Sequence, residues 1–79
     1  MYRIDVNRLN EEAHDYLKEV FSFPEYYGKN LDAFYDCLSD MGPIYICLLY
    51  ESKANEYSKK ILEVIDEVAY NNKLTVFHL

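Results

Sequence analysis

The 79-residue sequence predicts a two-layer α/β domain: a three-stranded parallel sheet in the order 1-2-3 with helices packed on one face. Three observations predict it. Hydrophobic periodicity alternates between the two-residue repeat of strands and the 3.6-residue repeat of helices, in the order strand, helix, helix, strand, helix, strand. Residues Ile44 to Tyr50 form an unbroken apolar run, as a central strand covered on both faces does. Strands separated by helices run parallel, and right-handed crossovers advancing in one direction put every helix on the same face.

The elements follow in chain order. Tyr2, Ile4 and Val6 alternate with Arg3, Asp5 and Asn7, the pattern of an edge strand with one wet face. Asn10 offers a helix cap, Glu11 and Glu12 place negative charge in a first turn, and Ala13, Tyr16, Leu17, Val20 and Phe21 make one apolar stripe ending before Pro24. A loop follows, punctuated by Pro24 and Gly28. Asn30 is a second cap, and Leu31, Phe34, Cys37, Leu38 and Met41 share one side of a helix that Gly42-Pro43 stops. After the apolar strand, Glu51 to Asn55 is a polar connection. A third helix buries Tyr57, Ile61, Val64, Ile65 and Val68 and fades at Asn71-Asn72, and Leu74, Val76 and Phe77 give the last strand.

Composition sets limits on function. Seventy-nine residues make one domain, 1–79, with a small core. A net charge of −6, from 14 acids and 8 bases, argues against nucleic acid or anionic lipid and for a basic partner. No apolar run reaches membrane-spanning length, and Met1 to Asp5 alternates in polarity where a signal peptide is continuously apolar, so a cytoplasmic chain is expected. Cys37 and Cys47 then read as free thiols. His14 and His78 lie far apart, each in a regular element, and read as ordinary surface or packing residues. With no nucleophile and base pair, no zinc-ligand spacing and no glycine-rich phosphate loop, no catalytic residue, metal or cofactor is expected.

The chemistry concentrates between Phe23 and Asp40. Opposite the apolar side of the second helix, a wheel places Asp32, Asp36, Ser39 and Asp40 together, with the ring of Tyr35 beside them. Asp36 is four residues from both other aspartates, and Asp40 sits at the end where the helix dipole disfavours negative charge, so the ridge costs the helix a few tenths of a kcal/mol per clash. An acidic helix face is ordinarily a solvated one. Carboxylates on a rigid helix beside aromatic side chains, however, have the composition of an interface anchor. Of the adjacent tyrosines, Tyr27 is expected to plug the core and Tyr26 to face out.

At Pro24-Glu25-Tyr26-Tyr27-Gly28, Asn30-Leu31-Asp32-Ala33 and Asp36-Cys37-Leu38 the sequence resembles the barstar family of intracellular inhibitors of barnase-type ribonucleases. The resemblance implies a stoichiometric inhibitor, not an enzyme, that inserts this loop and helix into the active site of a basic ribonuclease and binds no nucleic acid itself. It places Tyr26, Asp32, Tyr35 and Asp36 at the family's contact positions, with Asp36 standing in for an RNA phosphate, and Leu31 and Ala33 at flanking ones. Counting back from the last strand, it places Asp66 where the family has an acidic contact on the third helix. Three departures imply a different or shifted target: Tyr35 replaces a tryptophan, Lys29 an acidic residue, and Asp40-Met41 a small residue and an aromatic one. Ser39 and Asp40 extend the expected contact surface, and a monomer when free is expected. The alternative from the same surface is an acidic adaptor or regulatory module for a basic protein that is not a nuclease.

Overall fold

A computed structural model describes residues 1–72 and 74–79. Strand β1 (Tyr2–Asp5) leads into helix α1 (Val6–Phe21), and helix α2 (Leu31–Asp40) leads into strand β2 (Tyr45–Leu49). A 3-10 turn (Glu51–Lys53), helix α3 (Glu56–Asn72) and strand β3 (Thr75–His78) complete the chain. The sheet is parallel throughout, in the order β1-β2-β3. Its register sets Ile4 beside Leu48 and Ile46 beside Val76. These residues join side chains of all three helices in one core that includes Leu9, Leu17, Phe34, Leu38, Ile61 and Ile65. The helices therefore share one face of the sheet, as crossover handedness requires.

The opposite face carries Arg3, Cys47 and Phe77 in one row of the ladder. Cys47 is 4% exposed although no helix lies over it. On the same face Tyr45 stacks on Phe77 at 6.3 Å between ring centroids. The uninterrupted hydrophobicity of β2 thus accompanies burial of Ile46 and Leu48 on the helix side and of Cys47 on the other.

The first crossover begins earlier than the periodicity predicts. Asp5 caps α1, its carboxylate accepting a hydrogen bond from the Asn7 amide at 2.9 Å, so Val6 is the first residue of the helix and not the last of the strand. The helix kinks at Ala13 (φ 39°, ψ −108°), and the apolar stripe recognised in the sequence is mainly its second half. Asn10 is accordingly not a cap for α1, and Glu11 and Glu12 do not lie in its first turn. The Asn10 side chain instead donates to the Lys53 carbonyl at 2.9 Å and accepts from the Asn55 amide at 3.0 Å. Asn55 in turn caps α3, its side chain accepting from the Ser58 amide at 2.8 Å. Asn10 thereby ties the middle of α1 to the start of α3.

The other boundaries follow local chemistry. Ser22 ends α1 in the left-handed conformation (φ 54°), and Asn30 caps α2 by accepting from the Ala33 amide at 2.8 Å. Gly42 carries the positive φ of 76° after α2, and Pro43 prevents the helix from continuing. Replacing Asn10 with alanine removes two hydrogen bonds and loosens the α3 cap. Urea denaturation should show a loss of about 1–2 kcal/mol for Asn10→Ala, against less than about 0.5 kcal/mol for Glu11→Ala one residue away.

Candidate functional site

Helix α2 buries only Phe34 and Leu38 fully, which leaves the rest of its ten residues part-exposed or exposed. Asp32, Asp36 and Asp40 are all exposed, at spacings of four residues that align them along one side. The helix contains no basic residue. Among the described residues none of the three aspartates is in an ion pair, whereas acids on α1, in the loop and in the 3-10 turn are paired. Arg8 reaches Glu12 at 3.2 Å and Glu19 at 3.7 Å, Lys18 reaches Glu25 at 3.1 Å, Lys29 reaches Asp15 at 2.7 Å, and His78 reaches Glu51 at 2.8 Å. Five acids outside α2 are thus paired within the fold, and the three of the α2 ridge are not. The field of the ridge is felt inside the helix: burial pushes the Cys37 thiol up, and the charges of Asp40 and Asp36 push it further. Both cysteines are free thiols.

The loop before α2 is held from three sides. Phe23 and Tyr27 enter the core, their rings 4.8 Å apart, and the Tyr27 amide donates to the Pro24 carbonyl at 2.9 Å. Lys18 and Lys29 tie its two ends to α1 through Glu25 and Asp15. Gly28 lets it pass close to α2, since a Cβ there would come within 3.3 Å of the Ala33 Cβ. The two tyrosines separate as expected: Tyr27 is 5% exposed and Tyr26 86%. Tyr26 therefore projects from a fixed base.

That base has a polar keystone that sequence spacing did not reveal. His14, 8% exposed, holds the Tyr27 hydroxyl on Nδ1 at 2.7 Å and the Tyr57 hydroxyl on Nε2 at 2.5 Å. A loop, α1 and α3 meet at one imidazole. Burial lowers the His14 pKa, with the charge of neighbouring Asp15 opposing weakly, and burial also raises the Tyr27 pKa well above the usual phenol range.

The remaining predicted contact residues divide. Tyr35 is half-buried beside the ridge, and its hydroxyl accepts from Asn71 Nδ2 of α3 at 3.5 Å. Leu31 and Ala33 are half-buried at the edge of the core. Ser39, which the wheel set on the exposed side, is half-buried, and its Oγ lies inside with no hydrogen-bond partner among the described residues. Asp66 is exposed on α3, but about 140° around the helix from Asn71 and about 180° from Tyr57, the residues that face α2 and α1. Its charge acts on His78 of β3, whose pKa is raised mainly by the hydrogen bond to Glu51. The structure therefore gathers Tyr26, Asp32, Tyr35, Asp36 and Asp40 on the α2 side and sets Asp66 on the far flank of α3. Glu67, one turn before Asn71, lies on the near flank.

No group of three or more His, Cys, Asp and Glu residues among the described residues is arranged to hold a metal ion, and no helix there is long and apolar enough to cross a membrane. The family model for barstar (barnase inhibitor) matches residues 3–79. A curated relative, "Putative ribonuclease inhibitor YrdF" of Bacillus subtilis (strain 168), is 38% identical over 63 residues, covering 72% of this chain and 69% of the relative.

Tyr27→Phe keeps the buried ring and leaves His14 Nδ1 without its partner. It should lower stability by about 1–2 kcal/mol in urea denaturation, while Tyr26→Phe, at an exposed hydroxyl, should change it by less than about 0.5 kcal/mol.

Proposed function

This chain belongs to the barstar family, and from that premise we propose that it inhibits a basic, barnase-type ribonuclease by laying the α2 ridge and the Tyr26 loop into the enzyme's active site. Family membership and the relative's name support the inhibitor role. The observation that carries the binding mode is the ridge itself, three exposed carboxylates aligned at four-residue spacing on a helix that contains no basic residue.

A ribonuclease must hold phosphate with Arg, Lys or His side chains, and these accept a carboxylate in its place through charge-assisted hydrogen bonds, two at a time with Arg. Asp36, at the centre of the ridge, is the principal anchor, and Asp32 and Asp40 extend the charge to either side. Tyr35 and Tyr26 add flat aromatic area at low entropic cost, with Leu31 and Ala33 beneath. Ser39 contributes shape, because its hydroxyl is turned inward. Asp66, on the far flank of α3, contributes long-range attraction and not a contact. The complex needs no cofactor and no chemistry from this chain, which acts as a monomer in the cytoplasm, where free Cys37 and Cys47 stay reduced.

Titration into a panel of small basic microbial ribonucleases should give one-to-one inhibition of at least one, with affinity falling as salt screens the attraction. Asp36→Ala should weaken that inhibition at least about tenfold, the size of a lost hydrogen bond to a charged group, and more than Asp40→Ala does. Glu67→Ala should cost more than Asp66→Ala. Absence of inhibition across the panel, with capture of a basic partner that has no nuclease activity, would replace this reading with that of an acidic adaptor.

A further inference from the structure

We infer that the sheet face left bare by the helices is a self-association surface, and that its occupant is a second copy of this chain, related by a two-fold axis that crosses the strands over the Ile4, Leu48 and His78 row. The inference goes beyond the proposed inhibition and does not depend on it.

Register and alternation define the face. Side chains of a strand point alternately to its two sides. With Ile4, Ile46, Leu48 and Val76 on the helix side, the bare side carries Arg3 and Asp5 on β1, Tyr45 and Leu49 on β2, and Phe77 and Leu79 at β3. Leu79 lies just past the strand but continues its ladder, its amide donating to the Leu48 carbonyl at 3.1 Å. Tyr45, Phe77 and Leu79 are 57%, 42% and 77% exposed. Clustered apolar side chains with a charged border mark a contact surface.

Self-complementarity identifies what covers it. Arg3 has no ion pair among the described residues, and Asp5, two positions on, uses one carboxylate oxygen to cap α1 and has the other to give. On β2 and β3 the stacked rings of Tyr45 and Phe77 project at one end of the face, and at the other end lies a hollow lined by Leu49, Tyr50, Glu51, Ser52 and Leu79. Rotation about the stated axis exchanges the two ends, so that residues equally far before and after the Ile4, Leu48 and His78 row meet. Arg3 then faces Asp5 of the second copy, Phe77 faces its Leu79, and Tyr45 reaches the level of its Glu51, which is the hollow. Each contact is made twice. Glu51 is already engaged with His78 at 2.8 Å, so the ring does not cover an unpaired charge. A two-fold axis along the strands would instead set Arg3 on Phe77 and Asp5 on Leu79, which leaves both charges without partners.

Size sets the strength. Strands of four, five and four residues make a face about 10 Å across and about 15 Å along. That is well short of the roughly 800 Å² each partner gives to a standard interface, so the dimer is weak, with a Kd between about 10 μM and 1 mM. Well below that range the chain is a monomer. In the dimer both helix layers, and with them both α2 ridges, lie on the outside.

Sedimentation equilibrium of the full chain from about 10 μM to about 1 mM tests this. The average mass should rise from 9.4 kDa towards twice that value. Across the same dilution series the amide resonances of Tyr45, Leu49, Phe77 and Leu79 should move while those of Asp32 and Asp36 stay. Tyr45→Ser and Phe77→Ser, at exposed rings, should each weaken association at least about tenfold, since each removes two aromatic contacts per dimer. Arg3→Gln and Asp5→Asn, the second of which keeps the helix cap, should each weaken it about threefold, and the double variant no more than either alone, as members of one ion pair do. A constant 9.4 kDa throughout, resonance changes centred on α2, or fully additive losses in the double variant would each overturn the inference. So would a face that only a different protein covers. If a serine variant fails to fold, the resonance map of the unaltered chain still decides, and failure to inhibit any ribonuclease leaves this result untouched.

Discussion

A three-stranded parallel sheet with right-handed crossovers offers its helices only one face, and that constraint shapes everything outside the core. Three helices must share a surface bounded by Ile4, Ile46, Leu48 and Val76. α1 takes a broad share through Val6, Leu9, Tyr16, Leu17 and Phe21, and α3 through Ile61, Leu62, Ile65 and Val68. α2 is left with Phe34 and Leu38. A helix so narrowly buried would be marginal alone, because isolated helices of ten residues gain little from propensity. It holds because its start is capped by Asn30 and because the preceding loop sinks Phe23 and Tyr27 into the same core. The crowding that limits its burial leaves most of its surface available to a partner.

Charge is distributed to match. Asp15 of α1 and Glu25 of the loop pair with lysines that fasten the loop to α1, whereas the acids on α2 have no such partners among the described residues. Exposed pairs of this kind add little stability, so their value lies in orientation: Lys18 and Lys29 fix both ends of the segment that carries Tyr26. The unpaired ridge has the opposite economy, since mutual repulsion and the dipole at Asp40 make it slightly costly until cations arrive from outside. Even Lys29, a departure from the family's acidic residue, belongs to the fastening set through Asp15.

Most of the architecture was legible because it is written in local pattern. The uninterrupted β2 run, the stripes of the helices, Asn30 and Gly42-Pro43 each act within a few residues of where they are read. What local pattern does not reveal is where a side chain acts at a distance. Asn10 looks like a cap, but Asp5 had already started the helix, and Asn10 serves the α3 cap 45 residues away. Ser39 falls on the polar side of an ideal wheel, yet it is half-buried with its Oγ inside. Asp66 was positioned by counting back from the last strand, and a count fixes height along a helix better than direction around it: one residue is about 100°. His14 was read as an ordinary packing or surface residue. Nothing local marks it, because its partners are 13 and 43 residues away.

The two adjacent tyrosines show how the buried and exposed halves of this segment depend on each other. Consecutive residues in an extended or turning loop point different ways, so a ring held inside fixes the direction of the ring outside. If Tyr26 stood on a loose loop, binding would have to pay the entropy of ordering both the loop and the side chain. Because Tyr27 is seated between Phe23 and His14, that ordering is completed during folding, at the expense of burying a hydroxyl and an imidazole that must satisfy each other. If the Tyr26 loop binds as proposed, the direction of its exposed ring is therefore set by residues buried beneath it. The same dependence explains why the polar keystone sits under the loop and not under α2: a helix fixes its own side chains, and a loop needs something to fix it.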